Sequence, residues 1–502
     1  MRLNFDGATV RGFLGSVIRS AFGVFTSRIL GFLRDIFIAA VFGATALTDA
    51  FFVAFAIPNL FRALFAEGAL SSAFVPILGS KLKKSEYEGY SYLSNMVIYL
   101  SIIIVIFIII FSLFSDKIIL LFMPGFIEDK EVIGVASNIL IIVMPYLLFV
   151  SISALFSSFL NLRGSYFIPY SSTALLNLAM ITSIYLSYIY SKNIYFLAWG
   201  VFFGGLIQLG YILLFSCRFG FKFSFDKESI TDVKKTFLLI VPSIFGVGIN
   251  QLNFLVGRVL ASYLPFGSIS YLYYANRLFQ FPFGLFSVTI GTVSLTELSK
   301  NDSIRRFEII SKSILSIFLI ILPASLGLIL LSDDIIRIVF QRNQFNINDT
   351  INTANALKMY SLGLLFFSLN MTFTKIFHSI LDTKTPVKIS AILLISNIIF
   401  SLLLLKPFKH SGIALASSLS AFIGTIIYVK LISQKKLYSF KDFFSKYNWY
   451  ILKIILSNFL MSIFVLYLYH KGVHVLLIIL LTVIFYLVVL QVFKINFKEV
   501  LR

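Results

Sequence analysis

Residues 26–78 read TSRILGFLRDIFIAAVFGATALTDAFFVAFAIPNLFRALFAEGALSSAFVPIL. The run is apolar enough for two membrane helices, yet it carries Arg28, Arg34, Asp35, Asp49, Arg62 and Glu67. An ionised side chain in hydrocarbon costs several kcal/mol, so such residues normally face a cavity and serve a function. Six of them in two consecutive helices, with the balance on arginine, describe a polar chamber that receives an anion.

The rest of the chain is that of an integral membrane protein. Of 502 residues, 59% are hydrophobic and 13% charged, with a mean hydropathy of +0.94. A soluble domain has roughly a quarter of its residues charged, and no segment here is polar enough to form a separate globular domain. The single cysteine, Cys217, excludes a disulfide framework. The net charge of +20 is dispersed over short loops with no basic arm, which fits loops beside anionic lipid rather than a nucleic-acid partner. Arg19, Arg28 and Arg34 interrupt every early apolar run, so no cleavable signal is expected. His378, His410, His470 and His474 lack metal-ligand spacing, and no Gly-rich phosphate loop ending in Lys-Ser/Thr occurs. No catalytic constellation is suggested either, which disfavours an enzyme.

A span needs about 20 mostly apolar residues. Fourteen candidates follow, near 14–42, 48–80, 90–115, 132–162, 168–190, 194–216, 236–263, 268–298, 309–332, 350–381, 386–405, 411–432, 449–469 and 473–493. Pro58, Pro145 and Gly164 are positioned to kink or end the longer ones. With the N-terminus inside, the cytoplasmic loops hold eighteen lysines and arginines and the outer loops eight. That asymmetry predicts fourteen spans with both termini cytoplasmic.

The two halves echo each other. Phe22-Gly23-Val24 recurs as Phe245-Gly246-Val247, and Arg34 with Phe42-Gly43 recurs as Arg258 with Phe266-Gly267. Arg163, Pro169 and Asn177 are echoed by Lys384, Pro386 and Asn397. The expected architecture is all-α, with two six-helix lobes related by an axis along the membrane normal. Residues 1–217 form the first lobe, 218–235 a cytoplasmic linker, 236–433 the second lobe, and 434–502 a two-helix appendage.

Arg28, Gly31 and Asp35 lie at i, i+3 and i+7, one face of the first helix. Arg62 lies one turn beyond Pro58, and Arg258 and Arg277 sit in the seventh and eighth spans. Two readings of these charges stand: internal ion pairs such as Arg28–Asp35 and Arg62–Glu67, or a chamber for a ligand. Arg28, Arg34, Arg62, Arg258 and Arg277 outnumber Asp35, Asp49 and Glu67, and an unpaired excess of buried arginine is hard to sustain without a ligand or water. Asp49, near its helix end, also reads as an N-cap. Arginine offers a planar fork of donors suited to phosphate oxygens, so a pyrophosphate-bearing ligand fits.

Several motifs resemble the MurJ/MviN lipid II flippases of the multidrug, oligosaccharidyl-lipid and polysaccharide exporter group. They are Ser27-Arg28-Ile29-Leu30-Gly31-Phe32-Leu33-Arg34-Asp35, Thr48-Asp49-Ala50-Phe51-Phe52, Pro58-Asn59-Leu60, Phe65-Ala66-Glu67-Gly68-Ala69, Tyr274-Ala275-Asn276-Arg277-Leu278 and Asp382-Thr383-Lys384-Thr385-Pro386. The resemblance implies a cationic central cavity between two lobes and a groove at the last two spans for a polyprenyl tail. It implies that Arg28, Arg34, Arg62 and Arg277 are the essential cavity residues, with Asp35 and Asp49 also involved. The implied cargo is lipid II, a polyprenyl-pyrophosphate disaccharide-pentapeptide, moved from the inner to the outer leaflet. No cofactor is implied; membrane potential or a monovalent-ion gradient is expected to reset the cycle. Membrane lipids and cell-wall synthesis and division proteins are the implied neighbours. Asn276 departs from the family pattern, where relatives often carry an acid, and Thr296 replaces a common proline. The rival readings are an exporter of another polyprenyl-linked oligosaccharide and a non-transporting cell-wall scaffold.

Overall fold

The computed structural model describes residues 7–65, 69–300 and 303–495, without the side chains of 7–21, 64–65, 69, 71–72, 241–247, 249–250, 254 and 303–304. Glu67 therefore lies outside the described residues, and of the Phe245-Gly246-Val247 echo only the backbone, within α10, is described. Every regular element among the described residues is helical. Contacts divide the chain into two units, Met1–Gly267 with Arg342–Phe345, and Ser268–Gln341 with Asn346–Arg502.

The first unit contains α1 (Gly7–Phe42), α2 (Ala46–Phe65), α3 (Ala69–Lys84), α4 (Glu86–Leu113), α5 (Ser115–Phe122), α6 (Lys130–Val143), α7 (Pro145–Leu162), α8 (Phe167–Tyr190), α9 (Tyr195–Arg218) and α10 (Ser229–Ala261). Pro145 stands at N1 of α7, where its missing N–H removes no helical bond, and marks the junction of α6 and α7 within the single span Lys130–Leu162. Pro58 instead stays inside α2. Helix α9 lies close on its neighbours because it has no side chain to hold them off. A Cβ at Gly200 would meet Ser183 Oγ at 2.7 Å, and one at Gly204 would meet Leu176 Cδ1 at 2.8 Å. Small residues of this kind let membrane helices approach closely.

The helix expected to open the second lobe is α10, and it packs mainly on α2, α3 and α4 of the first unit. The linker before it is folded onto α4. Asn95 Nδ2 donates to the Asp226 carbonyl (2.7 Å), Tyr92 and Thr236 share a hydroxyl bond (2.6 Å), and Lys81 pairs with Asp232 (2.8 Å). Phe221 is inserted edge-on among Tyr90, Phe156 and Phe159. Residues 342–345 complete this unit: the Gln344 N–H donates to the Ala40 carbonyl (3.1 Å). The approach requires Gly43, whose φ is +65° and whose Cβ would lie 2.8 Å from the Gln344 oxygen.

The second unit holds α11 (Ser268–Pro282), which runs through one π-helical turn into α12 (Val288–Lys300), then α13 (Ser303–Leu330), α14 (Ser332–Phe340), α15 (Ile347–Leu362), α16 (Leu364–Ser379), α17 (Lys384–Gln434), α18 (Phe440–His470) and α19 (Val475–Val492). Helix α17 is a hairpin, not one rod. Lys409 leaves helical geometry with φ 49° and ψ −134°. The limbs on either side run antiparallel, Ser420 Oγ donating to the Leu393 carbonyl (2.7 Å) and Ser417 Oγ to Asn397 Oδ1 (3.4 Å). The appendage α18–α19 docks on α13, where Tyr486 OH donates to the Leu319 carbonyl (3.0 Å) and Tyr438 and Ser311 share a hydroxyl bond (2.8 Å).

Among the described residues ten helices are long and apolar enough to cross a membrane, or eleven if the bent pair α15–α16 forms one span. The expected number was fourteen; that exact count is not reached by this test. Many apolar side chains point outward, among them Ile102, Ile106 and Ile109 on α4 and Leu476, Leu480 and Val483 on α19. A soluble protein does not tolerate so broad an apolar surface.

Candidate functional site

Helix α1 is buried progressively toward its C-terminal end, where every residue from Ile38 to Phe42 is covered. Arg34 and Asp35 stand at the edge of that covered region, 5% and 0% exposed. The Arg34 Nε and Nη2 both donate to Asp35 Oδ1, at 3.0 and 2.8 Å. The third arm, Nη1, donates to Asn177 Oδ1 of α8 (3.0 Å). Asn177 Nδ2 donates to the Ser27 and Thr173 carbonyls, both at 3.2 Å, so the amide is held from both helices. Gly31 faces the Asn177 amide, where a Cβ would make ordinary contact at 3.6 Å.

Arg28 differs. It is exposed, and no hydrogen bond or ion pair engages its side chain among the described residues. The shared face predicted for Arg28 and Asp35 therefore spans two depths. Seven residues bring both to one side of the helix, but only the Asp35 end is covered.

Asp49 is fully buried in the first turn of α2, and its Oδ2 accepts from the Gly267 N–H at 2.7 Å. The helix starts at Ala46, so Asp49 is not its N-cap; Thr45 Oγ1 and Thr48 Oγ1 bond each other there (3.1 Å). Gly267 has φ +90° and Gly43 φ +65°. Both members of the Phe-Gly echo thus use the backbone region in which glycine is at ease.

Arg62 is half-buried and its Nε donates to Asn59 Oδ1 (3.2 Å), one turn back on α2. Arg258 is half-buried in the last turn of α10. In the second unit, Arg277 donates from Nη2 to Tyr273 OH at 2.9 Å, and its guanidinium carbon lies 5.1 Å from the Tyr273 ring centroid. Asn276, where an acid was expected, accepts instead from Gln280 Nε2 (3.1 Å).

The set divides by accessibility. Arg28, Arg62, Arg258 and Arg277 retain contact with the surroundings, whereas Arg34 is withdrawn onto Asp35 and Asn177. Tyr273 was not singled out from the sequence, and Asn59 entered only within the Pro58-Asn59-Leu60 motif, although each stands three or four residues before its arginine, the spacing at which helical side chains meet. Asn177 lies 143 residues from Arg34, and nothing local points to it.

A sequence model of the family described as lipid II flippase MurJ matches residues 38–492. The chain belongs to the lipid II flippase MurJ family. Its relatives include the probable lipid II flippase MurJ of Buchnera aphidicola subsp. Acyrthosiphon pisum, 34% identical over 454 residues and 88% of each chain. That of Haemophilus influenzae is 34% identical over 437 residues, covering 82% of this chain and 85% of the relative. A solved lipid II flippase MurJ in an inward closed conformation has a TM-score of 0.83 and 30% identity, covering 97% of this chain and all of that one. An inward-facing MATE-family multidrug transporter shares the fold alone, with a TM-score of 0.64 at 13% identity. As a MurJ-family member the chain is an all-α, multi-pass bacterial membrane protein of a transporter family, not an enzyme family.

Proposed function

We propose that this chain carries lipid II from the inner to the outer leaflet of the cytoplasmic membrane by alternating access. The observation that carries the reading is the family match over residues 38–492, within which the accessible arginines fall with the single exception of Arg28 just before it. Arg28, Arg62, Arg258 and Arg277 are the groups that replace water around the pyrophosphate. Their forked donors match its oxygens. Arg34, Asp35 and Asp49 position the helices that present them. No bond is made or broken in the cargo.

The protein passes between inward-open and outward-open states, and ligand shifts their populations only through differential affinity. Membrane potential or a monovalent-ion gradient resets the cycle; one elementary charge moved through 100 mV is worth about 2.3 kcal/mol. Fourteen passes result when α1, α10 and the second limb of α17 join the eleven apolar candidates, which leaves both termini cytoplasmic. Residues 1–217 and 236–433 are then the two lobes, and 434–502 carries the groove for the lipid tail.

The test is the accessibility of lipid II to an externally added cleaving toxin in cells rapidly depleted of this protein. Loss of accessible lipid II, restored by the parent chain and not by Arg28→Ala, is expected. Unchanged accessibility overturns the cargo assignment and favours another polyprenyl-linked glycan. Full restoration by Arg28→Ala overturns the arginine's role and favours a scaffold.

A further inference from the structure

One hollow of about 290 Å³, lined by none of the arginine set, lies between α15 and the hairpin turn of α17. Asn352, Asn355 and Met359 face it from α15, at i, i+3 and i+7, the positions that share a helix face. Phe408, Lys409 and His410 close it from the turn. Asn352 and Asn355 are half-buried, yet their side-chain amides make no hydrogen bond among the described residues, and the Lys409 ammonium has no ion-pair partner among them. The amides reach the surroundings through the hollow, so both are free to bond a ligand's oxygens. No acid lines it.

The turn is held firmly in an unfavourable shape. Lys409 occupies the left-handed side of backbone space, φ 49°, which non-glycine residues rarely adopt. His410 is buried, its Nε2 lies 2.9 Å from the Asn352 carbonyl, and its ring stands 5.2 Å from that of Tyr271. Tyr271 OH donates to Asp349 Oδ1 (3.0 Å), and Asp349 belongs to the capping box that starts α15. Strain over-determined by its surroundings in this way clusters at ligand clamps.

The surface leading to the hollow is apolar. Ile392, Ile395, Ile399, Leu402 and Leu403 are exposed along the first limb of α17, and Phe408 is exposed at its end. Lys406 and Lys409 follow that row, in a turn that the charge bias of the loops assigns to the outer side. A cationic, amide-lined hollow at the end of an apolar stripe fits an amphiphile with an anionic head.

We infer that the hollow holds the phosphate of an anionic membrane phospholipid, Lys409 supplying the counter-charge and Asn352 and Asn355 the amide donors. The acyl chains lie along the exposed isoleucine and leucine row of α17. This site is separate from the cargo assignment and stands or falls independently of it.

The test uses the full-length protein, purified in detergent and delipidated, with retained lipid counted by native mass spectrometry. The probes are phosphatidylglycerol and phosphatidylcholine with identical acyl chains. Lys409→Gln is expected to lower phosphatidylglycerol retention about fivefold, the effect of one lysine near an anionic surface. Asn355→Leu is expected to lower it as well, and unfolding temperatures identify any variant that has merely misfolded. Lys471→Gln, whose lysine lies over the Tyr467 ring instead, serves as the control and is expected to retain the parent level. Equal retention by Lys409→Gln and Asn355→Leu overturns the site. Equal retention of phosphatidylcholine by the parent overturns its anion selectivity. Displacement of the lipid by millimolar inorganic phosphate, with no effect of acyl chains, overturns the lipid assignment in favour of a free-anion site.

Discussion

Asp49 Oδ2 accepts a 2.7 Å hydrogen bond from the backbone N–H of Gly267, 218 residues further along the chain. The carboxylate is fully buried, so it acts on the protein's own backbone. A hydrogen bond to a charged group contributes about 1.5–3 kcal/mol. Asp49→Ala is therefore expected to lower the unfolding free energy by about that much, while Asp49→Asn, which keeps an acceptor oxygen, loses less. Detergent-solubilised thermal unfolding measures both; equal stability of parent and Asp49→Ala contradicts the assignment.

Arg34 and Asp35 form a buried pair, and removal of one partner leaves the other charge uncompensated. Arg34→Ala is expected to destabilise the chain by about 3–5 kcal/mol. Arg34→Lys is a poor substitute, because a lysine cannot reproduce the two-armed contact to Oδ1 together with the arm to Asn177. The double variant Arg34→Ala/Asp35→Ala should be more stable than Arg34→Ala alone. Folded yield and unfolding temperature decide the matter.

Arg28 predicts the opposite behaviour. Because it is exposed, Arg28→Ala should change stability by less than about 0.5 kcal/mol and still abolish the appearance of lipid II in the outer leaflet. Comparison of Arg28→Ala with Arg34→Ala thus separates loss of cargo contact from loss of fold.

Asp382 lies between α16 and α17, outside the apolar spans. The Lys435 ammonium, then the Thr385 hydroxyl (2.7 Å) and N–H (3.0 Å), hold its carboxyl far below the usual carboxylate range. A depressed folded-state value stabilises the fold at pH above the unfolded carboxyl value, about 3.9. That stability is lost only as pH falls through the lower folded value. The Asp382 contribution should therefore be constant from about pH 8 to about pH 5 and decline in stronger acid. Asp382→Asn should be less stable across that range and lack this part of the acid decline. Unfolding curves taken across pH check the sign.

Much of this was legible in the sequence because membrane helices must be long, apolar and internally bonded. The Ser27–Asp35 and Thr48–Phe52 motifs located α1 and α2, and Pro145 marked the junction of α6 and α7 inside one span. What was hidden depended on which faces become covered. Arg28 and Arg34 are equivalent in composition, and only the packing of α8 against α1 makes one a buried partner of Asn177. Asp49 looked like a helix cap because its acceptor atoms were visible in the sequence, while its donor, the Gly267 N–H, was not. The hairpin of α17 was foreseen as two spans, but the strained Lys409 was not, since a lysine carries no signal for positive φ.

The small segment 342–345, which closes over Gly43 and the end of α1, has a consequence for biogenesis. The first unit is not finished when the ribosome passes Gly267, because Gln344 is still to come. At about 5–20 residues per second, the remaining stretch takes roughly 4–16 seconds to synthesise. During that interval the Ala40 carbonyl waits for its donor, so the end of α1 is clasped only after the second unit has begun to form.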